Sequence, residues 1–294
     1  MNIKNYRDSL RTLVYILILT TVNYLFPFLS MVVMFLWPVP IVYLVQKEES
    51  SRVIGVVAAA ALINGFFFGP IMGLITVIGF GLVGFIIGNT IKEGFPPLKT
   101  LIAAVLAVII SQALVVYVSG VIMDLNYQSL IEEVLRNLGG ELDQQTVEQL
   151  IMPQLQLIRL MFPSLLAISA TITGIFNYYI SAWYLRRRGL NIELYKAISR
   201  WYLPRWTISV LLVISLLLRT NIVFLNFTVY LFFLGFMQGF AVLMYFLSAR
   251  NSSFLLKSFM VFLIFIFPPV PIILILLGLV DMWFNFRNQI NQPG

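Results

Sequence analysis

The feature that constrains this chain most is a succession of apolar runs, each about as long as a bilayer is thick. Runs near residues 11–27, 29–46, 53–69, 70–90, 99–123, 156–185, 204–219, 222–249 and 254–283 follow one another with few polar residues between most of them. A helix needs about 20 residues to cross a hydrocarbon core of about 30 Å, whereas barrel strands would be about ten residues long and alternating in polarity. The runs predict an all-α fold, a polytopic transmembrane helical bundle of about nine spans, with a range of about eight to ten because span ends are poorly defined by sequence. Composition agrees: 60% of the residues are hydrophobic and 11% are charged, with a mean hydropathy of +0.95.

Charge then orients the bundle. The stretch 124–154 carries Asp124, Glu132, Glu133, Glu141, Asp143 and Glu148 against Arg136 alone, which predicts an outer loop. The stretch 186–205 carries Arg186, Arg187, Arg188, Lys196, Arg200 and Arg205 against Glu193 alone, and cytoplasmic loops concentrate Lys and Arg. Counting back from these anchors puts Lys92, Lys99, Lys47, Arg52 and the N-terminus with Lys4, Arg7 and Arg11 in the cytoplasm. The basic start and apolar run at the N-terminus lack a small-x-small cleavage site, so they read as an uncleaved first span. Pro268, Pro269 and Pro271 interrupt the last run, which is either one kinked span or a hairpin of two short ones returning Arg287 to the cytoplasm. The tetrapeptide PVPI, present at 38–41 and again at 269–272, leans toward the hairpin.

The chain has no cysteine and no histidine. Thiolate nucleophiles, disulfides, Cys/His metal sites and the usual near-neutral proton carrier are thereby removed, and no metal or cofactor is expected. The net charge of +7 lies in short loops flanked by aromatic belts such as Trp183, Tyr184, Trp201, Tyr202 and Trp206. It is a topology and lipid-headgroup signal, with no nucleic-acid partner implied. Ionisable residues deep in a membrane mark relays and coupling sites, and here Asp124, Arg159, Arg219 and Asp281 lie only at span ends. The expectation is a protein with no catalysis of its own; an intramembrane lipid-modifying enzyme is the catalytic alternative. No G-x-x-x-x-G-K-[ST] is present, so any use of ATP needs a partner chain.

Neutral polar residues remain at depth. The bland reading of Asn23, Asn64, Asn89, Gln112, Asn177, Asn226 and Gln238 is hydrogen bonding between helices. The sharper reading places Asn23, Asn64, Gln112, Tyr117 and Arg159 around an outward-facing pocket for a small molecule. Stretch 124–154, whose leucines and isoleucines recur at helical spacing, would then rest on the membrane or close over that pocket. Gly65, Gly69 and Gly73, and Gly84 with Gly88, read as helix-packing positions. Within "NGFFFGPIMG", Gly69-Pro70 reads as the reversal between two spans.

Four stretches, "PVPIVYLVQKEESSR", "FFFGPIMGLI", "FPPLKTLIAAVL" and "LLGLVDMWFNFR", resemble the YybS-like family of bacterial integral membrane proteins, whose function is unknown, and the resemblance covers nearly the whole chain. That family is distantly similar to the substrate-binding components of energy-coupling-factor vitamin transporters. The resemblance implies a multi-pass protein of the bacterial cytoplasmic membrane. It also implies a six-span core at 1–188 that binds ligand near the outer face, a C-terminal membrane region at 189–294, and a partner membrane or ATP-binding subunit. The Ala-x-x-x-Ala docking face that such components carry in their first helix is absent from "LVYILILTTVNYLF"; Ala103 and Ala107 have the spacing in the fifth span. The function expected is a solute-binding or transport-related module. The alternative is a scaffold or regulator that recruits partners through the basic loop 186–205.

Overall fold

The structure, a computed structural model, describes residues 3–123, 149, 151–218 and 221–287. All of the described regular structure is helical. The helices are α1 (Ile3–Leu25), α2 (Ser30–Leu36), α3 (Val39–Lys47), α4 (Ser50–Phe68), α5 (Pro70–Leu74), α6 (Leu82–Lys92), α7 (Pro97–Met123), α8 (Met152–Arg187), α9 (Arg205–Leu218), α10 (Asn221–Ala249), α11 (Phe254–Ile266) and α12 (Pro269–Phe284). The amphipathic stretch expected over 124–154 lies almost wholly outside the described residues.

Six helical stretches among the described residues are long and apolar enough to cross a membrane: Pro27–Lys47, Ser50–Phe68, Pro70–Lys92, Pro97–Val121, Met152–Arg187 and Ile222–Ala249. The bent pair α11 and α12 makes a seventh if it is one span. The expected runs at 11–27 and 204–219 fall on α1 and α9. Helix α1 spends its first turns on Lys4, Arg7, Asp8 and Arg11, and the 14 residues of α9 extend only about 21 Å.

The chain divides into two compact units, Met1–Leu150 with Ser169–Tyr195, and Ile151–Ile168 with Lys196–Gly294. The 36-residue helix α8 contributes its first part to the second unit and its last part to the first.

In the first unit, α1, α3 and α4 pack around Ile16, Trp37, Ile41, Val45, Val53 and Ala60, with Trp37 stacked on Phe80. Proline interrupts the helices and side chains repair the breaks. Pro38 has no N–H, so the Met34 carbonyl loses its helical partner. Asn177, with its amide turned so that the nitrogen donates, reaches the carbonyls of Met34 and Phe35 at 3.2 and 3.0 Å.

Between α4 and α5, Gly69 adopts φ +95° and Pro70 opens the next helix, which reverses the chain. A Cβ on Gly73 would lie 2.8 Å from the Ala61 carbonyl and 3.2 Å from the Gly65 Cα, so the two arms meet backbone to backbone. The stretch Ile75–Gly81 is a π-helix, and Ser111 of α7 donates to its Gly79 carbonyl at 3.4 Å. Lower down, Gly84 and Gly88 abut Ile41 and Val45, where an added Cβ would come within 2.7 Å of their β-carbons.

One end of this unit gathers basic residues. Gln46 donates to the Gly88 carbonyl at 2.7 Å and Lys92 to the Glu48 carbonyl at 2.8 Å, while the buried Glu48 carboxylate pairs with Arg52. The end of α3, the start of α4 and the end of α6 therefore lie together.

In the second unit, α10 and α12 approach so closely that a Cβ on Gly239 would overlap the Leu274 carbonyl and one on Gly278 the Gly235 carbonyl. Helices α11 and α12 are bent by 108° at their junction. Arg287, just beyond α12, donates to the Ser199 carbonyl at 3.1 Å, which returns the end of α12 to the segment Ile198–Arg200.

Candidate functional site

A partly open cleft of about 450 Å³ lies at the basic end of the first unit, between α1, α3 and the end of α8. Helical spacing puts Asp8, Arg11, Tyr15 and Ile18 on one side of α1, and the cleft borders all four. Tyr43 comes from α3, which begins after the Trp37-Pro38 break. Tyr184 and Arg188 come from the last turn of α8 and the residue just past it.

Arg188 is the organised cation of this cleft. It donates to the Tyr184 hydroxyl from Nε at 3.2 Å and from Nη2 at 2.9 Å. Its guanidinium carbon lies 5.2 Å from the Tyr184 ring centre and 5.8 Å from that of Tyr43, within cation–π range. The two rings meet edge to face at 5.9 Å. The bond to Tyr184 pushes the Arg188 pKa further above its already high ordinary value. Arg11 is held more loosely, 3.8 Å from Asp8 and half-exposed. The lining thus holds two guanidiniums against one carboxylate, with Thr12 and three tyrosines as further polar residues, and Ile18, Leu19, Leu36, Val39 and Pro40 as its apolar part.

The residues expected to face an outward pocket have the following surroundings. Asn64 is fully buried, and its Nδ2 donates to Thr20 Oγ1 at 3.1 Å and Thr76 Oγ1 at 2.9 Å, tying α4 to α1 and to the π-helix. Its Oδ1 is buried without a partner. Gln112 reaches Ser169 Oγ at 3.4 Å. Asn23 is half-buried, Tyr117 is exposed on α7, and Arg159 belongs to the second unit. The hydrogen bonds of Asn64 and Gln112 go to threonine and serine, not to other members of the set. The cleft lining runs along α1 from Asp8 to Leu19 and includes none of Asn23, Asn64, Gln112 and Tyr117.

Arg186, Arg187, Lys196, Arg200 and Arg205 are exposed, and Arg187 stacks over Trp183 at 5.4 Å. Residues 190–197 form no helix, and the Tyr195 N–H donates to the buried Tyr178 hydroxyl at 2.9 Å.

The second unit holds a polar cluster that span-end placement of Asp281 did not anticipate. Asp281 is fully buried; its Oδ2 accepts from Gln238 Nε2 at 2.6 Å and Arg287 Nη2 at 3.0 Å, and its Oδ1 accepts from the Phe286 N–H at 3.0 Å. Gln238 Oε1 in turn accepts from the Leu203 N–H at 2.9 Å. Charge and hydrogen bonds are matched, so the cluster reads as a latch between α10, α12 and the segment before α9. The pairing of Asp281 with Arg287, six positions on and across the helix end at Phe284, was the available sequence signal. Among the described residues, no group of three or more acidic side chains could hold a metal ion.

These features define a multi-pass helical membrane protein with a basic, tyrosine-lined cleft. The sequence matches the DUF2232 family of predicted membrane proteins over residues 13–282, and the chain belongs to that family. Comparisons with curated proteins and with solved structures gave no match.

Proposed function

We propose that this protein is a solute-binding, transport-related module of the bacterial cytoplasmic membrane, without catalysis of its own, whose ligand occupies the cleft between α1, α3 and the end of α8. The observation that carries this reading is the exposed guanidinium of Arg188, hydrogen-bonded to Tyr184 and stacked near Tyr43, beside a lining that turns apolar. A side chain whose only task was solubility would not need such anchoring. With basic loops cytoplasmic, the N-terminus and the mouth of the cleft face inward. Helices α1 and α9 complete a bundle of about nine spans with their flanking residues. The cleft takes the ligand in place of the outward set Asn23, Asn64, Gln112 and Tyr117, because the Asn64 amide already joins three segments. The likeness to YybS-like proteins, and through them to energy-coupling-factor components, supports a transport role and a partner membrane or ATP-binding subunit.

The test is mass spectrometry of small molecules that co-purify with the full-length protein and with Ile18→Trp, which fills the cleft from a half-exposed position. A species recovered with the first and missing from the second is expected. Identical recovery from both sinks the cleft as a binding site.

The exposed arginines of the loop 186–205 favour a second reading, a scaffold that recruits partners through this loop. Charge reversal at Arg186, Arg187, Arg200 and Arg205 would then abolish activity in cells, while Ile18→Trp would leave it intact.

A further inference from the structure

We infer that the ligand of this cleft is an amphiphile with a phosphate-type anionic headgroup and an apolar chain. The inference rests on the reading of the cleft as the binding site. It starts from how the lining changes along α1. Asp8 and Arg11 stand near the start of the helix, Tyr15 one turn on, and Ile18 and Leu19 deeper still, with Leu36 and Val39 facing them.

A wholly polar solute would leave that deeper half dehydrated without gain, and a wholly apolar one would crowd two guanidiniums with nothing to pair them. A molecule graded from anion to hydrocarbon matches both halves.

The donor inventory points to the head. Arg188 uses Nε and Nη2 on the Tyr184 hydroxyl. This orients the guanidinium and leaves three N–H donors, two on Nη1 and one on Nη2, for incoming oxygens. Arg11 meets Asp8 only at the outer limit of an ion pair, 3.8 Å, so it can turn toward a second anion at little cost. Arginine forks and tyrosine hydroxyls suit the several oxygens of a phosphate. Basic pockets between helices on the cytoplasmic side of a membrane are where anionic headgroups collect. Asp8 is the acidic group of the lining and disfavours a head carrying a further anion on that side.

The experiment titrates the full-length protein, purified in an uncharged maltoside detergent, with dodecyl phosphate, dodecanol or inorganic phosphate, and follows binding by native mass spectrometry and calorimetry. Dodecyl phosphate is expected to bind about tenfold or more tighter than either control. Arg188→Ala and Arg11→Ala should each weaken it by about tenfold, the scale of one charge-assisted hydrogen bond, and Arg188→Lys should restore part of the loss. Ile18→Trp should abolish it. Elution as a single peak like the parent protein serves as the folding control.

Dodecanol binding as tightly as dodecyl phosphate, with both lost in Ile18→Trp, overturns the anionic head and leaves the cleft as the site. Inorganic phosphate binding equally well overturns the apolar chain. Dodecyl phosphate binding that survives both Arg188→Ala and Ile18→Trp, or no binding at all, overturns the inference and the cleft together. Where binding is as expected, competition by phosphatidylglycerol identifies a bilayer lipid as the source of the ligand, and absence of competition identifies a single-chain amphiphile.

Discussion

Asn226 of α10 is inserted into the backbone ladder of α8 at Ser164. Its Oδ1 accepts the Ser164 N–H at 2.8 Å and its Nδ2 donates to the Leu160 carbonyl at 2.7 Å, the two groups that a regular helix would bond to each other. Pro163 stands beside the gap; it supplies no N–H and its ring pushes against the preceding turn. The amide bridges the opening that the proline imposes.

Asn226→Ala should therefore lower stability by about 1–3 kcal/mol, because it strands a backbone donor and acceptor in an apolar setting. Thermal unfolding in detergent reads the loss. In the double variant with Pro163→Ala the ladder can close, and the cost of removing Asn226 should shrink. Equal costs in both backgrounds would show that the bridge has nothing to do with the proline.

The buried pair Asp281–Arg287 predicts an asymmetric response. Asp281→Ala leaves a guanidinium inside the second unit without its carboxylate, a loss of about 3–5 kcal/mol, visible as lower yield of monodisperse protein and a lower melting temperature. Replacing both residues, Asp281→Leu with Arg287→Met, should cost less than Asp281→Ala alone. If the double replacement is the worse of the two, the ion pair is not what the single variant disturbs.

The glycines of α10 and α12 can be separated by the room around them. Gly239→Ala and Gly278→Ala drive a methyl into a backbone carbonyl, which no rotamer relieves, so neither variant should yield a folded single peak. Gly55→Ala in α4, with nothing within 4 Å of the new carbon, should be neutral or gain up to about 1 kcal/mol from helix propensity. Size-exclusion profiles of the three variants decide the matter, and a well-folded Gly239→Ala contradicts the close approach.

Because the chain lacks cysteine, single introduced cysteines report sidedness without background. The bond from Arg287 to Ser199 requires both to lie on one side of the membrane. Cysteines at Arg200 and Phe284 should accordingly be labelled by an impermeant maleimide from the same side, the cytoplasmic one if basic loops face inward. Labelling from opposite sides would refute a returning α12.

Much of this architecture is legible in local chemistry. Apolar runs of bilayer length dictate membrane helices because no other open-chain structure satisfies its own backbone in hydrocarbon. Gly69-Pro70 marks a reversal for an equally local reason, since glycine reaches φ +95° without strain and proline starts a helix at no cost in donors. The Gly235/Gly239 pair shows the same four-residue spacing as Gly84/Gly88 and was there to be read. Its partner Gly278 lies on another helix, so the spacing alone does not identify the contact.

Pairing across the chain is another matter. Asn177 serves the break at Pro38 and Asn226 the break at Pro163, yet nothing local to an asparagine says which distant proline has left a carbonyl bare. The cleft has the same origin. Arg11, Tyr43 and Arg188 are unremarkable in three separate stretches: a topology charge, a membrane aromatic and one member of a basic triplet. Their convergence depends on how α1, α3 and α8 pack, and packing is a sum of many weak contacts with no local signature. Hydropathy settled that this chain is a helical membrane protein. The tertiary structure alone decided which polar groups hold the bundle together and which stand around an open space.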